Sequence, residues 1–244
     1  MKFKVRYILY ALGVLVLLAV GGFVFWAETP LGPAPEALTA LQSDSQVTVT
    51  TDRFITFAPA NSRPSVGFIF YPGGRVDARS YAPPLREIAA RGYLVVLVPV
   101  RLNLAFFDVN AAEPVFVAYP EIEHWVVGGH SLGGVAASLF AGSHAQVKGL
   151  VFWASYPADE LIKNSDLRVL SIYGTRDMAG VAKFDETRAL NPVSTQYVVI
   201  DGGNHAQFGD YGPQPGDKEA TISRADQQTQ VVAAVVQFLA SFVK

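Results

Sequence analysis

One hydroxyl stands among glycines in the run Trp125-Val126-Val127-Gly128-Gly129-His130-Ser131-Leu132-Gly133-Gly134. A serine hydroxyl is a weak nucleophile until a base takes its proton, and the base needs an acid to orient it. Gly129 to Gly133 reads G-x-S-x-G, with an apolar run before it and small residues after it. The bare pattern arises often by chance, so its context decides its meaning. Between a strand and a helix, such a serine sits on a sharp, strained turn. The glycines two places either side leave room for strand and helix to approach. The N–H of the next residue, Leu132, then points to where an oxyanion would form. The competing reading is a purely structural glycine turn.

The chain has no cysteine and four histidines. A thiol nucleophile, thiolate metal sites and disulfides are therefore excluded. His124 precedes its apolar run and belongs at the opposite edge from Ser131. His130 adjoins the serine and points elsewhere. His144 closes the helix after the serine, at the surface. His205, in Ile200-Asp201-Gly202-Gly203-Asn204-His205, follows the last apolar run directly and is the candidate base. The acid should come from another strand end between Ser131 and His205. Asp177, after Tyr173-Gly174-Thr175-Arg176, fits best; Asp159, Glu160 and Asp185 are its rivals. Asp201 and Asp210 lie too near the histidine in sequence to reach behind its ring easily. An aspartate in an exposed loop should carry few packing contacts.

These groups need a frame that brings loop ends together. Residues 47–51 and 54–59 read as a β-hairpin. Apolar runs at 66–71, 93–100, 125–129, 149–155, 167–174 and 195–201 alternate with helical stretches at about 83–92, 105–119 (less clear), 135–143 and 224–244. Ser223 is the expected N-cap of the last helix, with Asp226 in the capping-box position. Short, continuous, β-branched runs alternating with helices imply an α/β fold: a mostly parallel, doubly wound sheet covered on both faces. In such a sheet reactive groups gather at the carboxyl ends of the strands.

The chain's 244 residues hold one substantial domain, and its net charge of −2 gives no reason to expect a nucleic-acid partner. Residues 1–6 form a basic flank with Lys2, Lys4 and Arg6, and residues 7–26 are uncharged and apolar. Twenty residues at 1.5 Å rise span a hydrocarbon core of roughly 30 Å. Phe23, Val24, Phe25 and Trp26 occupy the place where a signal peptide would carry a small-residue cleavage site. The reading is an uncleaved single-pass membrane anchor. No Lys or Arg lies between Arg6 and Arg53, so the amino terminus is expected in the cytoplasm and the rest outside. Residues 27–46, with Pro30, Pro33 and Pro35, read as an extended linker to a domain at 47–244.

Taken together, the elbow, the Tyr-Gly-Thr-Arg-Asp segment, the Gly-Gly-Asn-His segment and the order Ser131, Asp177, His205 resemble the α/β-hydrolase superfamily over about residues 45–244. The likeness is greatest to its small, cap-less serine hydrolases near the dienelactone-hydrolase-like esterases, although dienelactone hydrolases themselves use cysteine. The resemblance implies an α/β-hydrolase fold, hydrolysis of small or medium carboxylic esters through an acyl-enzyme, and no cofactor or metal. It implies a second oxyanion donor in the loop Tyr71-Pro72-Gly73-Gly74-Arg75, matched to the N–H of Gly74, with Gly73 and Arg75 left open. The family's lid is usually inserted before the acid-bearing strand, where only residues 156–166 are available. A minimal lid, or none, and an open site are expected. Phe106 and Phe107, and Phe208 and Tyr211 in the long loop after the histidine, are candidate pocket walls. Asp210 and Asp217 read as solvated loop carboxylates, and Arg75 and Arg101 as contacts for a substrate carboxylate or structural ion pairs. An acyltransferase or peptidase with the same three residues, and a non-catalytic binding module, remain alternatives.

Overall fold

A computed structural model describes residues 2–243, with side chains from Arg6 to Val243; the side chains of Lys2 and Lys4 in the basic flank lie outside the described residues. The strands are β1 (Val47–Thr51), β2 (Ile55–Pro59), β3 (Val66–Tyr71), β4 (Leu94–Leu97), β5 (His124–His130), β6 (Val147–Trp153), β7 (Arg168–Gly174) and β8 (Gln196–Ile200). The helices are α1 (Lys2–Ala27), α2 (Pro35–Thr39), α3 (Ala82–Ala90), α4 (Glu113–Ala118), α5 (Leu132–Ser143), α6 (Val181–Thr187) and α7 (Arg224–Ala240). The strands form one eight-stranded sheet in the order β1-β2-β4-β3-β5-β6-β7-β8. The hairpin β1–β2 and its junction with β4 are antiparallel, and every other pairing is parallel.

Alternation along the strands splits the core into two layers. Phe68 and Phe70 of β3 face α3 and α7, among Leu85, Ile88, Val231, Val235 and Phe238. Ile69 and Tyr71 face the other way, among Val115 of α4 and Ala137 and Phe140 of α5. All six residues of β3 are buried, so its code has no polar face. At about 1.5–3 kcal/mol per large apolar side chain, these two layers dominate the folding energy. Ser223 caps α7 as expected: its Oγ accepts from the Asp226 N–H at 3.1 Å.

Two expectations differ from the structure. The 105–119 stretch is not one helix but 3-10 turns at Ala105–Phe107 and Val109–Ala112, followed by the short α4. Pro114 lies inside it and cannot donate to a continuous ladder. Residues 27–46 are not a free linker. Ala27 and Ala37 are fully buried, and Leu31, Ala40 and Leu41 lie against the core. Ala34 N–H donates to Asp210 O at 2.7 Å, and Arg86 Nη1 to Gln42 O at 2.7 Å. The prolines signalled extension, but the apolar residues between them supply a docking face. The ordered body therefore begins near residue 27. Between β6 and β7 the chain has only turns, so no lid is inserted there.

Apart from its C-terminal end, where Phe23, Trp26 and Ala27 meet the body, α1 is exposed. Arg6–Ala27 is long and apolar enough to cross a membrane.

Candidate active site

Four strand ends converge at one edge of the sheet. β3 leads to Gly74, β5 to Ser131, β7 to Asp177 and β8 to His205. Ser131 has φ 52° and ψ −122°, a conformation that favours glycine. Such a residue costs about 1–3 kcal/mol and persists only where its surroundings fix it. Here they do: Ser131 N–H donates to Trp153 O at 3.0 Å, and Ser155 Oγ donates to Ser131 O at 2.6 Å. The flanking glycines are required by contact. A Cβ on Gly129 would collide with the Gly133 backbone, and one on Gly133 with the carbonyls of Tyr71 and Pro72. The hydroxyl residue remains partly exposed at the head of α5.

Asp177 and His205 meet. Asp177 Oδ2 accepts from His205 Nδ1 at 2.9 Å, and Asp177 Oδ1 accepts from Ala179 N–H at 2.8 Å. The two loops are stitched together by Arg176 N–H donating to Gly203 O at 2.8 Å. Gly174 permits this, since any side chain there would strike Gly203. Asp177 is fully buried, which corrects the expectation of an exposed loop aspartate: the histidine loop folds over it. With Nδ1 donating to the carboxylate, His205 presents the lone pair of Nε2, which has no partner among the described residues. The rival acids point outward. Asp159 accepts from the nearby Leu161 N–H, Glu160 pairs with Lys163 and Asp185 with Arg188. Asp201 accepts from Thr175 Oγ1.

The three candidate oxyanion donors separate by their bonds. Gly73 N–H donates to Tyr81 OH at 3.1 Å, and Arg75 N–H to Asn103 O at 2.7 Å. Gly74 makes neither kind of bond, and a Cβ built on it would stand 3.1 Å from Leu132 Cδ2. Neither its N–H nor that of Leu132, the first residue of α5, donates to another group among the described residues.

His130, which the sequence suggested points elsewhere, is fully buried and central. Tyr81 OH accepts from Gly73 N–H and is also hydrogen-bonded to His130 Nδ1, 2.8 Å away. The His130 ring lies 4.5 Å from the His205 ring and stacks on Phe208 at 5.6 Å. Burial, and secondarily the His205 ring, hold its pKa well below the ordinary histidine value, so it stays neutral. Burial likewise raises the Tyr81 hydroxyl and keeps it protonated. One chain of contacts thus runs from the Gly73-Gly74 turn through Tyr81 and His130 to the back of His205.

Phe208 and Tyr211 belong to that backing rather than to an open pocket. Phe208 is fully buried, and Tyr211 is nearly so, against Tyr81 and His130. Phe106 and Phe107 stand exposed on the rim. Asp217 is not a solvated carboxylate. It accepts from the N–H groups of His205 (3.3 Å) and Ala206 (2.8 Å), capping the turn that carries His205. Asp210 is buried and bonded by Gln228 and Arg224. Gln227 grips Asn204 at both N–H and C=O. Sequence reasoning missed Tyr81, Asp217 and Gln227 as supports; the only trace was their clustering near Gly73 and His205. His144 is where expected, at the end of α5 beside Glu113, and His124 opens β5 at the far edge. Arg101 lies near Asp108 at 3.7 Å.

The alpha/beta hydrolase family model matches residues 67–229. No curated protein matches the sequence significantly. Among solved structures, the esterase domain of a Rhodothermus marinus protein superposes with TM-score 0.61 at 15% identity, over 78% of this chain and 93% of that one. A Pyrococcus furiosus esterase gives 0.57 at 15%, over 87% and 95%. Dienelactone hydrolase from Anabaena variabilis gives 0.56 at 15%, over 83% and 99%. At these identities the likeness is one of fold.

Proposed function

The chain belongs to the alpha/beta hydrolase family, and from that premise we propose that it is a serine hydrolase of carboxylic esters, with Ser131 as nucleophile, His205 as base and Asp177 as its orienting acid. Ser131 Oγ bonds to the ester carbonyl carbon while His205 Nε2 takes its proton. The N–H groups of Leu132 and Gly74 stabilise the oxyanion. The C–O bond to the alcohol then breaks, and His205 returns the proton to the leaving alcohol. Water, deprotonated by the same nitrogen, releases the acid and restores Ser131. The role of Asp177 is to hold the proton on Nδ1 and stabilise the imidazolium.

One observation carries the reading: a buried carboxylate–imidazole pair whose Nε2 has no hydrogen-bond partner among the described residues, in the loops at the same sheet edge as the strained Ser131. The test is labelling by a fluorophosphonate together with hydrolysis of p-nitrophenyl butyrate. Wild-type protein should show both and Ser131→Ala neither. Substantial turnover by purified Ser131→Ala would remove the assignment. The same proposal places α1 across a membrane with the basic flank inside and the domain outside. Protease added to intact spheroplasts should then digest the domain.

A further inference from the structure

The end of α1 is fastened to the candidate site. Trp26 O accepts from Arg75 Nε at 2.8 Å and Thr29 O from Arg75 Nη2 at 2.7 Å. The Arg75 guanidinium lies 4.3 Å from the centre of the Trp26 ring. Ala27 O accepts from Asn103 Nδ2 at 3.1 Å. The chain then runs beside the same loop: Leu31 N–H donates to Arg75 O at 2.8 Å, and Asp77 N–H to Leu31 O at 2.9 Å. Arg75 directly follows Gly74, and its own N–H is held by Asn103. The turns after β3 and β4, which edge the site, are therefore the turns that grip the helix where it would leave a bilayer.

The rim continues the apolar surface of α1. Phe107 meets Phe23 edge-on at 6.1 Å, and Phe106 meets Phe107 at 5.4 Å. Phe106 is 60% and Phe107 51% exposed. Phe23 lies three residues deeper than Trp26, about 4.5 Å along the helix. A helix placed with Trp26 and Glu28 at the water boundary therefore carries Phe107 below it, within the roughly 5–10 Å that interfacial aromatic groups reach. Behind this lip, Leu104 leads back to the site: a Cβ on Gly74 would stand 3.6 Å from Leu104 Cδ2. An exposed apolar pair with no protein cover marks an interaction surface, and its continuity with α1 identifies the partner as lipid.

We propose that the site opens at the bilayer surface, with Phe106 and Phe107 dipping into it, and that the substrate is an ester carried by a membrane amphiphile. One chain of the substrate stays in the bilayer while its carbonyl reaches Ser131. Anchoring raises the local concentration of such a substrate without any added contact. The inference rests on the reading of Ser131 as a hydrolytic nucleophile and of α1 as a membrane span.

The full chain, reconstituted in phosphatidylcholine vesicles, is given p-nitrophenyl palmitate in its own vesicles or in separate ones, and p-nitrophenyl acetate in water. Palmitate in the same bilayer should be cleaved at least about tenfold faster than palmitate in separate vesicles. Phe106→Ser/Phe107→Ser should lower the ratio of palmitate to acetate turnover by more than about tenfold, since the apolar burial of one aromatic group is already worth about that factor and two are removed. Because the chain has no cysteine, Phe107→Cys and Val193→Cys accept a single environment-sensitive fluorophore. Brominated lipid should quench the label at 107 and not the label at 193, which is fully exposed between α6 and β8. Equal, water-like signals at both positions would overturn the lip. Acetate turnover with no same-vesicle advantage for palmitate would overturn the substrate class while leaving the nucleophile standing. Absence of all Ser131-dependent turnover would remove both.

Discussion

Replacing Asp177 separates its chemical role from its structural one. Both carboxylate oxygens are used, one by Ala179 N–H and one by His205 Nδ1, and the residue is fully buried. In Asp177→Asn the amide oxygen can keep the Ala179 bond, but the NH2 group faces the ring. The ring answers by offering Nδ1 as acceptor, which moves its proton to Nε2. Ser131 then meets a donor instead of a base. The expected loss in kcat is about 10⁴-fold, or about 5.4 kcal/mol at 1.36 per decade, with KM much less affected. Stability should fall by only about 1–2 kcal/mol, because charge-assisted bonds become neutral ones and none is lost. In Asp177→Ala two buried donors lose their acceptor. At about 1–3 kcal/mol each, stability falls by about 2–6 kcal/mol. At roughly 2–4 °C per kcal/mol, the melting temperature drops on the order of 10 °C. Steady-state kinetics on one activated ester and thermal melts in detergent measure both quantities. Asp159→Asn and Asp185→Asn, at exposed positions, should match wild type in each. A kcat for Asp177→Asn within tenfold of wild type would refute the acid assignment. An Asp177→Ala protein melting with wild type would refute the argument from burial.

Ser131→Gly should be inactive yet more stable by about 1 kcal/mol, since relief of a strain of about 1–3 kcal/mol exceeds the backbone entropy a new glycine adds to the unfolded chain; chemical denaturation checks it, and a destabilised variant would contradict the strain. His130 is held neutral among Tyr81, Tyr211 and His205, with its pKa below the ordinary value. Below about pH 6.5 the unfolded chain therefore takes up a proton that the folded one refuses, and stability falls by about 1.4 kcal/mol per pH unit from this group. Denaturation between pH 7.5 and 5 should show that slope in wild type and a flatter one, by about that amount, in His130→Asn; equal slopes would mean that His130 titrates alike in both states.

The parts of the molecule that were legible in the sequence are those where one local rule determines the outcome. β3 is buried on both faces, so its six residues read as an uninterrupted apolar run. Ser131 lay between glycines because the elbow leaves no room for a Cβ on either side, a demand written within five residues. Asp177 and His205 could be chosen because parallel strands deliver their loops to one edge. What was missed depends on contacts between distant parts of the chain, which leave no period. Tyr81 reaches His130 across 49 positions, and Gln227 reaches Asn204 across 23. The burial of Asp177 follows from the later loop folding over it, so its own neighbours, Thr175, Arg176 and Met178, read as an ordinary turn. The docking of residues 27–46 was hidden for a similar reason. Proline fixes the local backbone and is seen at once, while Ala37 and Leu31 declare themselves only against a surface built from residues far along the chain. That docking has a consequence for the candidate site. A free linker would let the domain turn in any direction above a membrane, whereas a segment hydrogen-bonded to Arg75 and Asp77 holds the Gly74 turn in one orientation relative to α1. The rim carrying Phe106 and Phe107 is fixed to the helix in the same way, through Asn103.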